Sequence, residues 1–387
     1  MAFVRRALRR TACLVGLVVV FGCSSSYRVP PSTRGPTVTL VDSIQLMVPD
    51  SIPLGGLLHA ARWAARSYLV HDIDRFRILV FDAQGQLVRI FPTRTTGFND
   101  HGGESSAPYV LPGDTVVAVH DWWQKAFRAY RISDGRKVAE IPAEILRVAP
   151  QHSARGDTLY FGTVVPQGSG PAVFPGPVAR WIVGSGSIAS IGTSPAPLRH
   201  NVVVWVTHGY SGVVIHDNGL VVVLGSEAGL RVLDSLGVER RRVLIPAARR
   251  RGTPPGLFRR AIEPKTTQWR QLLGSKLRSL SARPSGELVL TYLDFDQIVP
   301  DSLSNVDAFD GRFHDYVSVI SSDLSRVCLD GEVPADPAEG ASVLWRGDTL
   351  ERLSRVRPGL QTKPLIIRLF RLDTEQCDWV PTGHWRP

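Results

Sequence analysis

One phrase recurs along this chain at intervals of about fifty residues. It consists of an alternating apolar strand, a turn marked by Asp, Ser or Gly, a second strand, and an apolar residue followed by proline. It reads RILVFDAQGQLVRIFP up to Pro92, FRAYRISDGRKVAEIP up to Pro142, LRVLDSLGVERRRVLIP up to Pro246, YVSVISSDLSRVCLDGEVP up to Pro334 and IIRLFRLDTEQCDWVP up to Pro381, with a weaker copy, ARWIVGSGSIASIGTSP, ending at Pro195. The proline intervals are 50, 53, 51, 88 and 47 residues, and the long one contains a basic segment. A period of this size with several strands per unit points to the blades of a β-propeller, because a single unit cannot bury its own apolar faces. The expected fold is therefore all-β: a six-bladed propeller of four-stranded antiparallel blades over residues 37–387. No Ser/Gly-rich linker divides the repeats, so the 387 residues read as one domain after the N-terminal region. The segment Val38 to Met47 also alternates, and it is expected to pair with the last blade and close the ring.

The first residues do not share this pattern. Arg5, Arg6, Arg9 and Arg10 precede an apolar run from Cys13 to Phe21, and Gly22-Cys23 is followed by Ser24, Ser25 and Ser26. A basic start, a short apolar core and a small residue before the cut describe a secretory signal over residues 1–22. Val20-Phe21-Gly22-Cys23 resembles the lipobox of bacterial lipoproteins, although Phe21 is atypical of it. The resemblance implies lipidation of Cys23, a Ser/Pro-rich tether over 23–36, attachment to the membrane through the N-terminal lipid, and a place in the cell envelope. In a diderm cell that place is the outer membrane, facing the periplasm. Once Cys13 and Cys23 are set aside, Cys328 and Cys377 remain as an even pair, either joined as a disulfide or left as two thiols.

Removing residues 1–22 takes four arginines from the formal charge of +10 and leaves +6. The excess is concentrated between Glu239 and Arg283, where Arg249, Arg250, Arg251, Arg259 and Arg260 form the densest group. Trp269, Leu272, Leu273, Lys276, Leu277 and Leu280 follow helical spacing, which predicts a short helical insert within about 247–283. Its arginines could contact an anionic surface, whereas nucleic acid is not an expected partner for an exported chain without a recognised binding motif.

Two copies share the triplet Val70-His71-Asp72 and Val119-His120-Asp121, read as the end of an inner strand whose aspartate caps the following turn. These copies, together with Gly97 to Glu104, Ala107-Pro108 and Leu111-Pro112-Gly113-Asp114, resemble the six-bladed β-propeller lipoproteins of bacteria, which share the architecture of NHL and TolB-like propellers. Gly102-Gly103-Glu104 matches the family's Gly-Pro-Gly-Glu stretch loosely, with Gly102 in place of proline. The resemblance specifies fold and not chemistry, so the function expected is that of a membrane-anchored binding or scaffold module toward an envelope protein or small ligand, with no cofactor, or of a structural part of an envelope complex. The alternative function is a lactonase-like, metal-dependent hydrolase with its site in the propeller channel, for which Glu104, Asp121, Asn201, Asp294 and Asp296 are the candidates around a central Ca²⁺. No His-Glu-x-x-His, Gly-x-Ser-x-Gly, Cys-x-x-Cys or Walker pattern occurs.

Overall fold

The computed structural model describes residues 33–55, 58–64, 66–93, 108–111, 113, 115–121, 126–142, 147–164, 176–183, 185–192, 212–217, 219–223, 229–246, 276–295, 313–334, 342–346, 348–354 and 365–384. Strand β1 (Thr37–Leu46) comes first in the chain but belongs to the last blade. Blade 1 is β2 (Leu58–Ala64), β3 (Ser67–Asp72), β4 (Arg77–Phe81) and β5 (Leu87–Pro92). Blade 2 is β6 (Tyr109–Val110), β7 (Val116–Asp121), β8 (Ala126–Arg131) and β9 (Lys137–Pro142). Blade 3 is β10 (Arg147–Arg155), β11 (Thr158–Val164), β12 (Val178–Ile182) and β13 (Ser187–Ile191). Blade 4 is β14 (Gly212–His216), β15 (Gly219–Val223), β16 (Gly229–Leu233) and β17 (Glu239–Leu244). Blade 5 is β18 (Lys276–Ala282), β19 (Leu288–Phe295), β20 (Phe313–Ile320) and β21 (Arg326–Glu332). Blade 6 is β22 (Ser342–Arg346), β23 (Thr349–Ser354), β24 (Leu365–Asp373) and β1.

The chain is thus a six-bladed propeller, and β1 closes it as anticipated. It runs antiparallel to β24 from Thr37↔Asp373 to Leu46↔Leu365. Joining the two ends of the chain in one sheet removes the open edge that a linear array of blades would leave.

The recurring apolar-proline phrase has a physical cause. Each blade is covered on both faces by its neighbours, so the core is divided into clusters between consecutive blades. The residue just before the proline, at the end of each outer strand, projects into the next interface. Phe91 lies between blades 1 and 2, Ile141 between 2 and 3, Ile245 between 4 and 5, and Val333 between 5 and 6. All four are buried, and Ile191 occupies the same place between blades 3 and 4. Burying such a side chain contributes about 1.5–3 kcal/mol. Proline follows where the outer strand ends and has no inward partner for an N–H. The hairpin of the next blade then rests on that apolar residue. Gly135 (φ 71°) packs so tightly on Phe91 that a Cβ would lie 2.5 Å from the phenylalanine Cβ, and at Gly237 (φ 82°) a Cβ would lie 2.6 Å from Ile191 Cγ2. Both the left-handed backbone and the close approach therefore require glycine.

Three expectations need correction. The final copy does not complete its own blade. Because β1 occupies the fourth position beside β24, the segment after Asp373 leaves blade 6. It adds β25 (Val380–Pro381) outside β21 and β26 (Gly383–His384) outside β17. The helical spacing through Lys276, Leu277 and Leu280 misled as well, since these residues form β18, the innermost strand of blade 5. Leu277 and Leu280 are buried against Val214 of blade 4 and Leu290 of blade 5. A register irregularity between Leu277 and Ser279 adds one residue to β18, so Leu277 and Leu280, three positions apart, enter the same core cluster and imitate helical spacing. The rest of the expected insert, including Arg249, Arg250, Arg251, Arg259 and Arg260, lies outside the described residues, as do Cys23 and the signal region. Finally, the two Val-His-Asp triplets end β3 and β7, the second strands of their blades and not the innermost.

Candidate functional site at the loop end of the propeller

The antiparallel blades give the propeller two unlike ends. At one end the strands are joined by tight hairpins at 82–86, 132–136, 156–157, 183–186, 234–238, 283–287 and 321–325. At the other leave the connections 93–108, 165–177, 192–211, 245–275, 296–312, 333–341 and 355–364. Binding residues concentrate on long connections carried by a rigid scaffold, so this loop end is the candidate functional face.

Its floor is a set of buried charges at strand ends. In blade 1, Arg77 Nε and Nη2 donate to Asp72 Oδ2 at 3.0 and 2.9 Å, and the Gly55 N–H donates to Asp72 Oδ1 at 3.2 Å. Burial pushes the Asp72 carboxyl above its ordinary range, against the opposing effect of Arg77. In blade 2, Arg128 Nη1 donates to Asp121 Oδ2 at 3.1 Å and to the Thr93 carbonyl of blade 1 at 3.4 Å, while the Tyr130 hydroxyl donates to the same carbonyl. The sequence correctly marked these two aspartates as equivalent. What it could not supply was the arginine, which stands at a different position on the third strand in each case.

Blade 5 holds a denser cluster that the sequence did not single out. Counted from the hairpin-proximal pairs Tyr68↔Phe81, Val117↔Tyr130 and Leu288↔Ile320, Tyr292 stands where blades 1 and 2 place Asp72 and Asp121. Its buried hydroxyl donates to Asp330 Oδ1, and burial, reinforced by the Asp330 charge, raises the phenol well above its ordinary value. Asp330 has a left-handed backbone (φ 60°) and donates its N–H to Ser318 Oγ at 3.2 Å. Tyr316 stacks on Tyr292 with ring centroids 5.9 Å apart, and His314 Nδ1 lies 2.6 Å from Glu332 Oε1 at the surface. Asp315 accepts from Arg352 Nη2 of blade 6 at 2.8 Å and lies 3.4 Å from Arg278 Nε. Arg352 also donates to the Pro334 carbonyl at 2.7 Å. Aligning the strands by register instead of by the proline spacing would have drawn attention to this position.

Of the hydrolase candidates, Asp121 is committed to Arg128, and Asp294 of β19 is buried and stands in register with His314 of β20. Glu104, Asn201 and Asp296 lie outside the described residues. Among the described residues, no group of three His, Cys, Asp or Glu side chains is placed to hold a metal ion. The observed charges pair within blades at Asp72–Arg77 and Asp121–Arg128 and between blades 5 and 6 at Asp315–Arg352, and they leave a polar surface at His314, Glu332 and Arg278 that can hydrogen-bond a bound molecule.

Cys328 of β21 and Cys377, just beyond blade 6, are joined by a disulfide with Cα atoms 5.8 Å apart. Outer strands of adjacent blades diverge, and the bond is reached because the chain after Asp373 turns back toward blade 5.

No family model matches the sequence, and no curated protein matches it either. Among solved structures, the chain is similar to a member of the DUF4221 family from Bacteroides vulgatus ATCC 8482. That likeness has a TM-score of 0.56 at 11% identity and covers 88% of this chain and 99% of the other. It is similar also to a protein from Bacteroides fragilis NCTC 9343 whose name presumes that it is exported, with a TM-score of 0.56 at 10% identity, covering 89% and 98% of the two chains. At such identities the likeness concerns the fold alone.

Proposed function

We propose that this propeller is a lipid-anchored binding or scaffold module of the cell envelope that engages an envelope protein or small ligand through its loop end. The observation that carries this reading is the inequality of the two ends: short hairpins on one side, long connections on the other, with the buried Asp72–Arg77 and Asp121–Arg128 pairs consumed in joining adjacent strands of their own blades beneath them. The Arg-rich start, the apolar run and Cys23 support a lipid anchor, and the Cys328–Cys377 disulfide is in keeping with an oxidising compartment. The presumed export of the Bacteroides fragilis neighbour agrees with that compartment.

The lysines make a direct test available. Lys125, Lys265 and Lys363 fall in connections of the loop end and Lys276 begins β18 there, whereas Lys137 begins β9 at the hairpin end. An amine-reactive cross-linker applied to solubilised envelope should join partners to the first four and spare Lys137. Partner cross-links confined to Lys137 would defeat the assignment.

A further inference from the structure

The C-terminal segment runs against the order of the blades. After β24 it passes outside blade 5 and then blade 4, pairing two residues with each: Arg326↔Pro381 and Val327↔Val380 on β21, Val243↔His384 and Leu244↔Gly383 on β17. Thr382 adds two hydrogen bonds, its N–H to the Ser325 carbonyl and its hydroxyl to the Leu324 carbonyl, each 2.8 Å. The guanidinium of Arg326 lies over the Trp379 ring, 5.7 Å from the ring centroid. Ladders this short hold an edge weakly, because so few hydrogen bonds offset the chain entropy lost on ordering. Cys328 lies on β21 itself, so the disulfide ties the segment to the edge it covers. Its two sulfurs differ in access: Cys328 is fully buried, whereas Cys377 is partly exposed.

We infer that Thr374–His384 is a redox-locked strap, held on the rims of blades 5 and 4 by Cys328–Cys377 and released when a dithiol reductant reaches Cys377. A thiolate of the reductant attacks Cys377 Sγ, the accessible sulfur, and the Sγ–Sγ bond breaks. Cys328 leaves as a thiolate and takes a proton. The reductant's second thiol, as its thiolate, then displaces Cys377, which is protonated in turn, and the reductant is left as its own disulfide. Two electrons and two protons pass to the protein. The ring itself stays closed, because β1 and β24 remain paired along their length and Val38 and Leu372 stay buried between blades 5 and 6. What loosens is the strap together with its contact to Arg34, which precedes β1 and bonds Asp378.

Hydrogen exchange read by mass spectrometry on the full chain in detergent tests this. Three samples are compared: oxidised protein, protein treated with dithiothreitol, and Cys377→Ser. Exchange over 374–384 and along the outer edges of β21 and β17 should rise at least tenfold in the second and third samples, while β3 and β7 remain as protected as in the oxidised protein. Reoxidation should restore protection to the wild-type chain and not to Cys377→Ser. Unchanged exchange of the strap with both thiols free by maleimide labelling would overturn the inference. So would a disulfide that resists dithiothreitol in the folded protein, or a simultaneous loss of protection in all six blades.

Discussion

The N–H of Arg34 donates to Asp378 Oδ2 at 2.7 Å, and the N–H of Asp378 donates back to the Arg34 carbonyl at 3.0 Å. Residues 344 positions apart are thereby fastened beside the Cys328–Cys377 disulfide. The point where the chain enters the propeller and the point where it leaves are one structural locus, and an N-terminal lipid anchor would transmit its pull there. The disulfide itself closes a loop of 49 residues, which stabilises the fold by about 4 kcal/mol in the chain-entropy account. The entry and exit of the chain are held together by these hydrogen bonds and by the pairing of β1 with β24, and the disulfide fixes the exit segment to blade 5.

Truncating an interface residue before a proline should be costly. Phe91→Ala removes a buried ring from between blades 1 and 2, and the expected loss is about 3–5 kcal/mol by urea denaturation. A loss below 1 kcal/mol would show that the recurring phrase is not what cements the blades.

Glycine at the hairpins should be irreplaceable only where the neighbouring blade presses on it. Gly135→Ala meets Phe91 and is expected to cost more than Gly156→Ala, where the backbone is also left-handed (φ 59°) but no atom lies within 4 Å of the added Cβ. The second change should cost about 1 kcal/mol, as expected for the backbone term alone. Equal losses in thermal melts of the two variants would remove the interface explanation.

Arg128→Met leaves Asp121 in the core without its guanidinium partner, and the expected destabilisation is about 3–5 kcal/mol. Asp121→Leu with Arg128→Met should recover part of it. A double variant as unstable as the single one would indicate that the pair contributes through packing and not charge.

Acid should weaken the hairpin end first. The Asp134 and Asp234 carboxyls are held below their ordinary range chiefly by backbone N–H groups, of Arg136 and Val238, and Asp323 chiefly by the Ser321 hydroxyl. A folded-state value below the unfolded one gives stabilisation that is complete above about pH 4 and lost as pH falls through the folded values. Asp72 acts in the opposite sense: burial raises it, so its contribution is greatest at low pH and wanes as pH rises through its folded value. Urea midpoints should fall between pH 4 and pH 3, and the gap between wild type and Asp323→Asn should narrow over the same interval. A constant gap would exclude the Asp323 hydrogen bonds as its source.

The bounds of the basic segment can be checked by deletion. Replacing 247–275 with a Gly/Ser bridge should leave the propeller folded, because β18 is retained, whereas deletion through Arg283 removes Leu277 and Leu280 from the core and should abolish cooperative unfolding. With the shorter deletion, weaker sedimentation with anionic vesicles at low salt is the result expected if Arg249, Arg250, Arg251, Arg259 and Arg260 contact lipid. Fractionation of Cys23→Ser, expected to leave the membrane, tests the anchor separately.

The repeat made the fold class, the blade number and the closing role of Val38 to Met47 legible in the sequence, because the apolar-proline phrase is itself the imprint of blade packing: a buried residue, the end of an edge strand, and a glycine hairpin resting on it. Three features were decided only in three dimensions. The strap after Asp373 repeats the phrase faithfully through Val380-Pro381, yet β1 already occupies its place, and no local pattern records that competition. Lys276, Leu277 and Leu280 carry helical spacing but lie in a strand whose register shifts between Leu277 and Ser279, and no local pattern marks where a ladder takes in an extra residue. The partners of Asp72 and Asp121 stand on the next strand of the same blade and that of Asp315 in the adjacent blade, at distances set by register and blade packing, so no spacing in the sequence records which arginine each one meets.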